Sequence, residues 1–287
     1  MYSTGMTLLC NMNALVVAKS WGLLHIFFLN VQSLALEVNI NMKPYKSHLT
    51  KVVRLSALMY ALGSIARASG GFKHPTTPDF LISLFELPPS LPLRILSGCF
   101  HLVVNFFLYY FGHFCATTAL FYSMVMVEIL KTLDTSSERS SGNADGLAER
   151  ELRSRYIRLS LLQNTFNEIF SSWLYYFELC VIMLLANHLF HSVVYRTLRS
   201  IVVVTLCSLQ AFYLFWGLGE MHEKSVGVLD SWQNCKGSPS FEKFRRACRP
   251  LTAKLKDFGF VDKFFLVTLG SVVIDTSADL ILTYRYE

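Results

Sequence analysis

A chain of 287 residues that is 53% hydrophobic and only 16% charged, with a mean hydropathy of +0.40, falls well short of the roughly 25% charged residues of a soluble globular domain. Several apolar runs exceed the roughly 18 residues that mark a membrane span, where the core runs of a soluble α/β domain break about every 4 to 8 residues, so a soluble fold is excluded. The net charge of +6 is gathered in connections between runs rather than in a stripe with interleaved aromatics, which argues for membrane topology and against a nucleic-acid partner.

Six apolar runs predict six helical spans, at about 14–36, 52–68, 95–129, 166–190, 201–218 and 264–284. The first run lacks a basic stretch ahead of it and is interrupted by Asn11, Asn13 and Lys19, so it reads as a span rather than a cleaved signal. The second is bounded by Arg54 and Arg67, long side chains that reach the interface; an amphipathic surface helix is its alternative. The links 37–51, 130–160 and 220–262 carry most of the Lys and Arg, which places all three in the cytoplasm. That assignment is self-consistent only if 52–68 crosses. Both termini then lie outside, and an upstream cytoplasmic segment with one more span is expected to be missing from this sequence.

Two predicted helices, 93–133 and 152–191, run about 40 residues, or about 60 Å, and must project below the bilayer. The segment 149–167 alternates charged and apolar residues at helical spacing, as a projecting amphipathic helix requires. Residues 135–145, rich in Ser, Gly and Asn, are predicted to be a flexible connector. The seven cysteines contain no CxxC pair, and five lie inside apolar runs as small buried hydrophobes. His188 and His191 lack an acidic neighbour, so neither a metal nor a cofactor is predicted.

The last span carries Thr268, Ser271, Asp275, Asp279 and Thr283 at spacings of three or four, which puts them on one helical face. A carboxylate at the centre of a spanning helix costs about 3 kcal/mol on insertion scales, so it faces protein or a water-filled path. The alternatives to an ion pathway are a buried pair hydrogen-bonded to neighbouring helices, or an interface-level position for Asp279. In the run 95–129, His101, Asn105 and Tyr109 repeat at i, i+4 and i+8 among Phe106, Phe107 and Tyr110. Such a polar ladder suits a small organic ligand, or else hydrogen bonding between packed helices.

Three stretches resemble the arthropod gustatory and odorant receptor superfamily of seven-span chemosensory channels. The text YIRLSLLQNTFNEIFSSW, from Tyr156 to Trp173, is similar to the family's fifth-span approach, with Asn167, Phe170 and Ser171 at its marked positions. The text LQAFYLFWGLGEMHEKS, from Leu209 to Ser225, is similar to the sixth span, with Gln210, then Gly217 and a small polar Ser225 after it. The text FRRACRPLTAKLKDFGFVD, from Phe244 to Asp262, resembles the approach to the last span. The signature that closes that span, Thr-Tyr, five apolar residues and Gln-Phe, is met only in part: Thr276 is kept, Ser277, Thr283 and Tyr284 replace the other marked residues, and Asp279 intrudes.

The resemblance implies an all-α polytopic bundle, here six spans of a seven-span fold, forming one channel and receptor domain over 1–287. It implies a plasma-membrane tetramer, homomeric or assembled with a co-receptor, that opens to cations when a small organic tastant or odorant binds; taste is the expected modality. The last helix would line the pore through Thr268, Ser271, Asp275, Asp279, Leu280 and Thr283, with Leu280 and Thr283 nearest the outer constriction. The ligand would sit in the outer half of the bundle, near His101, Asn105 and Tyr109, and membrane lipid would surround the spans. A G-protein-coupled receptor is the competing reading, but the Asp/Glu-Arg-Tyr triplet is absent and the last span has no proline. A transporter should show repeats or broken helices, and an enzyme a motif such as HExxH or a P-loop; none is found.

Overall fold

The computed structural model describes residues 19–38, scattered positions between 47 and 72, and 90–140, 146–195, 198–233 and 238–286. At 21, 101, 104–111, 113, 135–140, 146–148, 198–199, 202–203 and 285–286 only the backbone is described. The elements are α1 (Trp21–Glu37), α2 (Leu91–Ser140), α3 (Gly146–Val194), α4 (Leu198–Gln233), α5 (Pro239–Ala247), β1 (Ala253–Lys254), β2 (Phe260–Val261) and α6 (Phe265–Tyr286). The fold is all-α, as the runs predict; the two short strands form only an antiparallel clip, Ala253 opposite Val261. The chain divides into two compact units, Met1–Leu15 with Met42–Thr117 and Val16–Asn41 with Thr118–Glu287, and α2 belongs to both. The expected span 52–68 lies mostly outside the described residues; Arg54, Ala57, Leu58, Ala61 and Ile65 within it are helical.

Among the described residues, three helical segments are long and apolar enough to cross a membrane: Phe114–Asp134, Glu149–Val194 and Phe265–Tyr284. Gly22–Glu37 and Leu91–Phe100 are apolar but shorter. With 50 and 49 residues, α2 and α3 are each about 75 Å long, more than twice the hydrocarbon thickness. Two boundaries differ from the sequence reading. Helix α2 continues through Thr135 to Ser140, part of the stretch expected to be a flexible connector, because Ser, Glu and Arg there do not stop a helix without a Gly or Pro. Helix α4 does not end near 218 but runs to Gln233. Beyond Leu218 it is amphipathic, with Met221, Ser225, Val228 and Trp232 buried at helical spacing, so hydropathy falls while the helix persists.

Within the larger unit the core is an aromatic column. Phe27 of α1 lies 5.2 Å from Tyr122 of α2, which stacks at 4.3 Å on Phe166 of α3, itself 4.9 Å from Phe170. Each such pair contributes about 0.5–1.5 kcal/mol beyond the area it buries. A second cluster joins Tyr156, Trp232, Phe241 and Phe244, with the Arg153 guanidinium 5.3 Å above Phe244. Helix α5 begins at this cluster because Ser238 caps it, Pro239 fills its first position, and Glu149 of α3 accepts both the Ser238 N–H and its hydroxyl at 2.8 and 2.5 Å.

Candidate functional site: the last helix and the strap that seats it

Helix α6 packs through Leu269, Val273 and Ser277, which recur every four residues and are buried. Thr268, Ser271, Asp275, Asp279 and Thr283 are all exposed, on the side away from that packed face. Leu280 is half-buried at the edge of the packed face, and so stands apart from the five polar residues it was grouped with. The polar groups bond within their own helix: Thr268 to the Phe264 carbonyl at 3.3 Å, Thr283 to the Asp279 carbonyl at 2.8 Å, and the Ser271 hydroxyl to Asp275 Oδ2 at 3.4 Å. Among the described residues neither carboxylate reaches another helix. Only 17% of the spanning window of α6 is buried, against 61% for that of α2.

The start of α6 is fixed by local chemistry. Asp262 Oδ1 accepts the Phe265 N–H at 2.8 Å and so caps the helix. The Asp262–Lys263 peptide lies flat against Gly219 of α4, where a Cβ would come 2.9 Å from the Asp262 carbonyl carbon and 3.0 Å from the Lys263 nitrogen. Gly217 allows a second close approach, to Ser123 and Leu120 of α2. Before Asp262 the chain turns through Lys256, at φ 52°, and Gly259, at φ 153°, closing the two-stranded clip.

The segment between α5 and that clip is strapped to the long helices by buried side chains that bond its backbone. Tyr156 donates to the Arg249 carbonyl at 2.7 Å, Ser225 Oγ accepts the Leu251 N–H at 2.9 Å, and His222 Nδ1 donates to the Leu251 carbonyl at 3.1 Å. Gln163 and Asn167 both donate to the Thr252 carbonyl, at 2.8 and 2.9 Å. Asn167 Oδ1 accepts the Lys254 N–H at 2.9 Å, and Tyr122 donates to Gln163 Oε1 at 2.8 Å. Two helices, α3 and α4, thus hold one extended segment by main-chain bonds that do not depend on its side chains, and Tyr122 of α2 braces Gln163 from behind. Burial pushes the Cys248 thiol beside the strap up to about 11 despite the opposing pull of Arg153.

The C-terminal end of α6 is tied separately. Tyr284 lies 5.6 Å from Phe190 and 6.3 Å from Tyr195, and His191 stacks on Tyr195 at 5.3 Å. The hydrogen bond with Tyr284 raises the Tyr195 phenol above its ordinary range.

Among the residues marked by resemblance, Asn167 and Gly217 acquire definite structural roles. Ser171 and Gln210 are half-buried on α3 and α4, and Thr276 bonds back to the Val272 carbonyl at 2.7 Å. The side chains of His101, Asn105 and Tyr109 lie outside the described residues. Sequence reasoning passed over Gln163, His222 and Tyr122, whose partners are backbone atoms or side chains 29 to 89 residues away, whereas Ser225, marked by resemblance, proves to accept the Leu251 N–H. It also passed over Glu178, half-buried in the middle of α3; an ionisable group inside a span was the available signal.

No family model matches the chain, and no curated protein matches it. Solved structures do. The insect olfactory receptor OR5 from Machilis hrabei superposes with a TM-score of 0.57 at 14% identity, covering 98% of this chain and 87% of that one. The same receptor in complex with eugenol gives 0.59 at 14% identity, covering 97% and 82%. At this identity the likeness is one of architecture, and the chain has the fold of that insect olfactory receptor.

Proposed function

We propose that the chain is a multi-pass subunit of a chemosensory receptor in the plasma membrane, a ligand-gated, non-selective cation channel of the taste type in which α6 lines the pore. The observation that carries this reading is the uncovered polar stripe of α6. Lipid does not cover two carboxylates at about 3 kcal/mol each, so protein or water must. Closing four copies around an axis, alike or with a co-receptor, turns the same face of each α6 inward and gives the stripe a shared aqueous path. Asp275 and Asp279 then form two rings of negative charge. For a cation about 8 Å away in a water-like medium each carboxylate contributes about 0.5 kcal/mol, so a ring of four contributes about 2 kcal/mol before salt screening.

The fold shared with an olfactory receptor that has been solved with eugenol supports a small organic ligand for this chain. Its site is assigned to the outer half of the bundle near His101, Asn105 and Tyr109, with the C-terminus extracellular. In cells without G-protein signalling, a panel of sugars, bitter compounds and volatiles should evoke a cation current, and sugars or bitter compounds should be the openers. Asp275→Asn and Asp279→Asn should each lower cation-over-anion permeability several-fold. A protein that reaches the surface but stays silent to every compound, alone or with a co-receptor, refutes the channel. Unchanged permeability in both variants refutes the placement of the pore.

A further inference from the structure

Along one face of α4 the chemistry changes within a turn. Phe212, Tyr213 and Trp216 are 46%, 59% and 41% exposed, and the same face continues as Glu220, Glu223 and Gly227. Trp216 receives Lys263, whose Nζ lies 5.2 Å from the ring centroid and is ion-paired to Glu223. Exposed aromatics followed at once by charges mark a helix leaving hydrocarbon for water, with Trp at headgroup level.

A cavity of about 350 Å³ opens at that level between α2, α4 and Lys263. Just above it Gly217 brings the two helices together, since a Cβ there would meet Ser123 Oγ at 2.7 Å. The cavity is lined by Lys131, Lys224 and Lys263 and by Asp134, Glu220 and Glu223, so its formal charge is zero while both signs are present. Lys131 and Lys263 are already engaged, with Glu128 and Glu223. Among the described residues Lys224 and Glu220 form no ion pair, although they stand one turn apart. Side chains lean toward the start of their helix, so Lys224 reaches up toward the aromatic band.

We propose that this cavity seats the headgroup of an inner-leaflet phosphatidylethanolamine. Its phosphodiester lies on Lys224, its primary ammonium on Glu220, and its acyl chains along Phe212, Tyr213 and Trp216. An anionic headgroup leaves the carboxylates facing its excess charge, and a choline headgroup has no N–H to donate to them. The assignment rests on the multi-pass reading proposed above, with α4 crossing at the run 201–218 that the sequence predicts as a span, and not on ion conduction.

Native mass spectrometry of the full chain, released from bilayer discs holding equal phosphatidylethanolamine and phosphatidylcholine, tests it. Phosphatidylethanolamine should be retained preferentially, and a chain carrying both Lys224→Ala and Glu220→Ala should lose that preference by roughly fivefold, the upper range for half-exposed charge contacts. Lys224→Arg, which keeps the charge, should retain it and controls for misfolding. Equal retention of the two lipids by the unaltered chain overturns the proposal, as does unchanged preference in the double variant. Displacement of the lipid by glycerophosphoethanolamine or inorganic phosphate also overturns it and reassigns the cavity to a soluble ligand. Extraction of the chain by alkaline carbonate refutes the spanning reading itself, whereas the absence of a ligand-evoked current leaves the lipid result standing.

Discussion

Asn167→Ala should destabilise the protein by about 2–4 kcal/mol, because it strands several buried groups at once. The Lys254 N–H loses its acceptor, and the Thr252 carbonyl loses one of its two donors. Gln163 also loses the Asn167 Oδ1 contact at 3.3 Å, which weakens the bridge to Tyr122. No water reaches these atoms cheaply, since Asn167 and Gln163 are 9% and 3% exposed. The consequence extends beyond stability, for the strap leads within ten residues to the Asp262 cap that starts α6. A lower melting temperature in detergent and reduced surface delivery are the expected readings. Glu168→Gln, one residue away and exposed, should stay within about 0.5 kcal/mol of the unaltered protein.

Gly219→Val should cost about 2–3 kcal/mol by overpacking against atoms that cannot swing aside. The obstacle is main chain, the Asp262 carbonyl carbon at 2.9 Å and the Lys263 nitrogen at 3.0 Å, and that peptide is held in place by the cap it provides to α6. Helix propensity opposes the loss by only about 0.5 kcal/mol, since Val is itself a weak helix former, so the steric term decides the sign. Gly227 supplies the contrast. It lies in the same helix with open space for 4 Å around the position a Cβ would take, so Gly227→Ala should gain up to about 1 kcal/mol. Melting temperatures of the two variants, moving in opposite directions, check both statements.

The all-α class and the long helices were legible because apolar runs report bilayer spans directly, and the shared face of the α6 polar residues because spacings of three or four place them together on any helix. The continuation of α4 past Leu218 was hidden, since Glu220, Glu223 and Lys224 lower the hydropathy without breaking the helix, and the signal lay in the spacing of Met221, Ser225, Val228 and Trp232. The strap was illegible for a different reason. Tyr156, Gln163, Ser225 and His222 bond mostly to main-chain atoms of a segment far along the chain, and main chain carries no residue-type signature. Resemblance marked Asn167 and Gly217 without saying why; the structure supplies the reasons, two main-chain bonds and a close helix approach. Leu280 was grouped with the stripe by its nearness in sequence, whereas its angle on the helix puts it beside Leu269, Val273 and Ser277.

Cysteine accessibility along α6 tests the central claim most directly. Ser271→Cys, Asp275→Cys and Asp279→Cys, compared with Leu269→Cys and Val273→Cys, sample the exposed and packed faces within three turns. A membrane-impermeant cationic thiol reagent, applied during ligand-evoked current, should block the first three and leave the last two and the unaltered chain untouched. Block at 269 or 273, or none at 271, 275 and 279, would contradict a pore lined by this stripe.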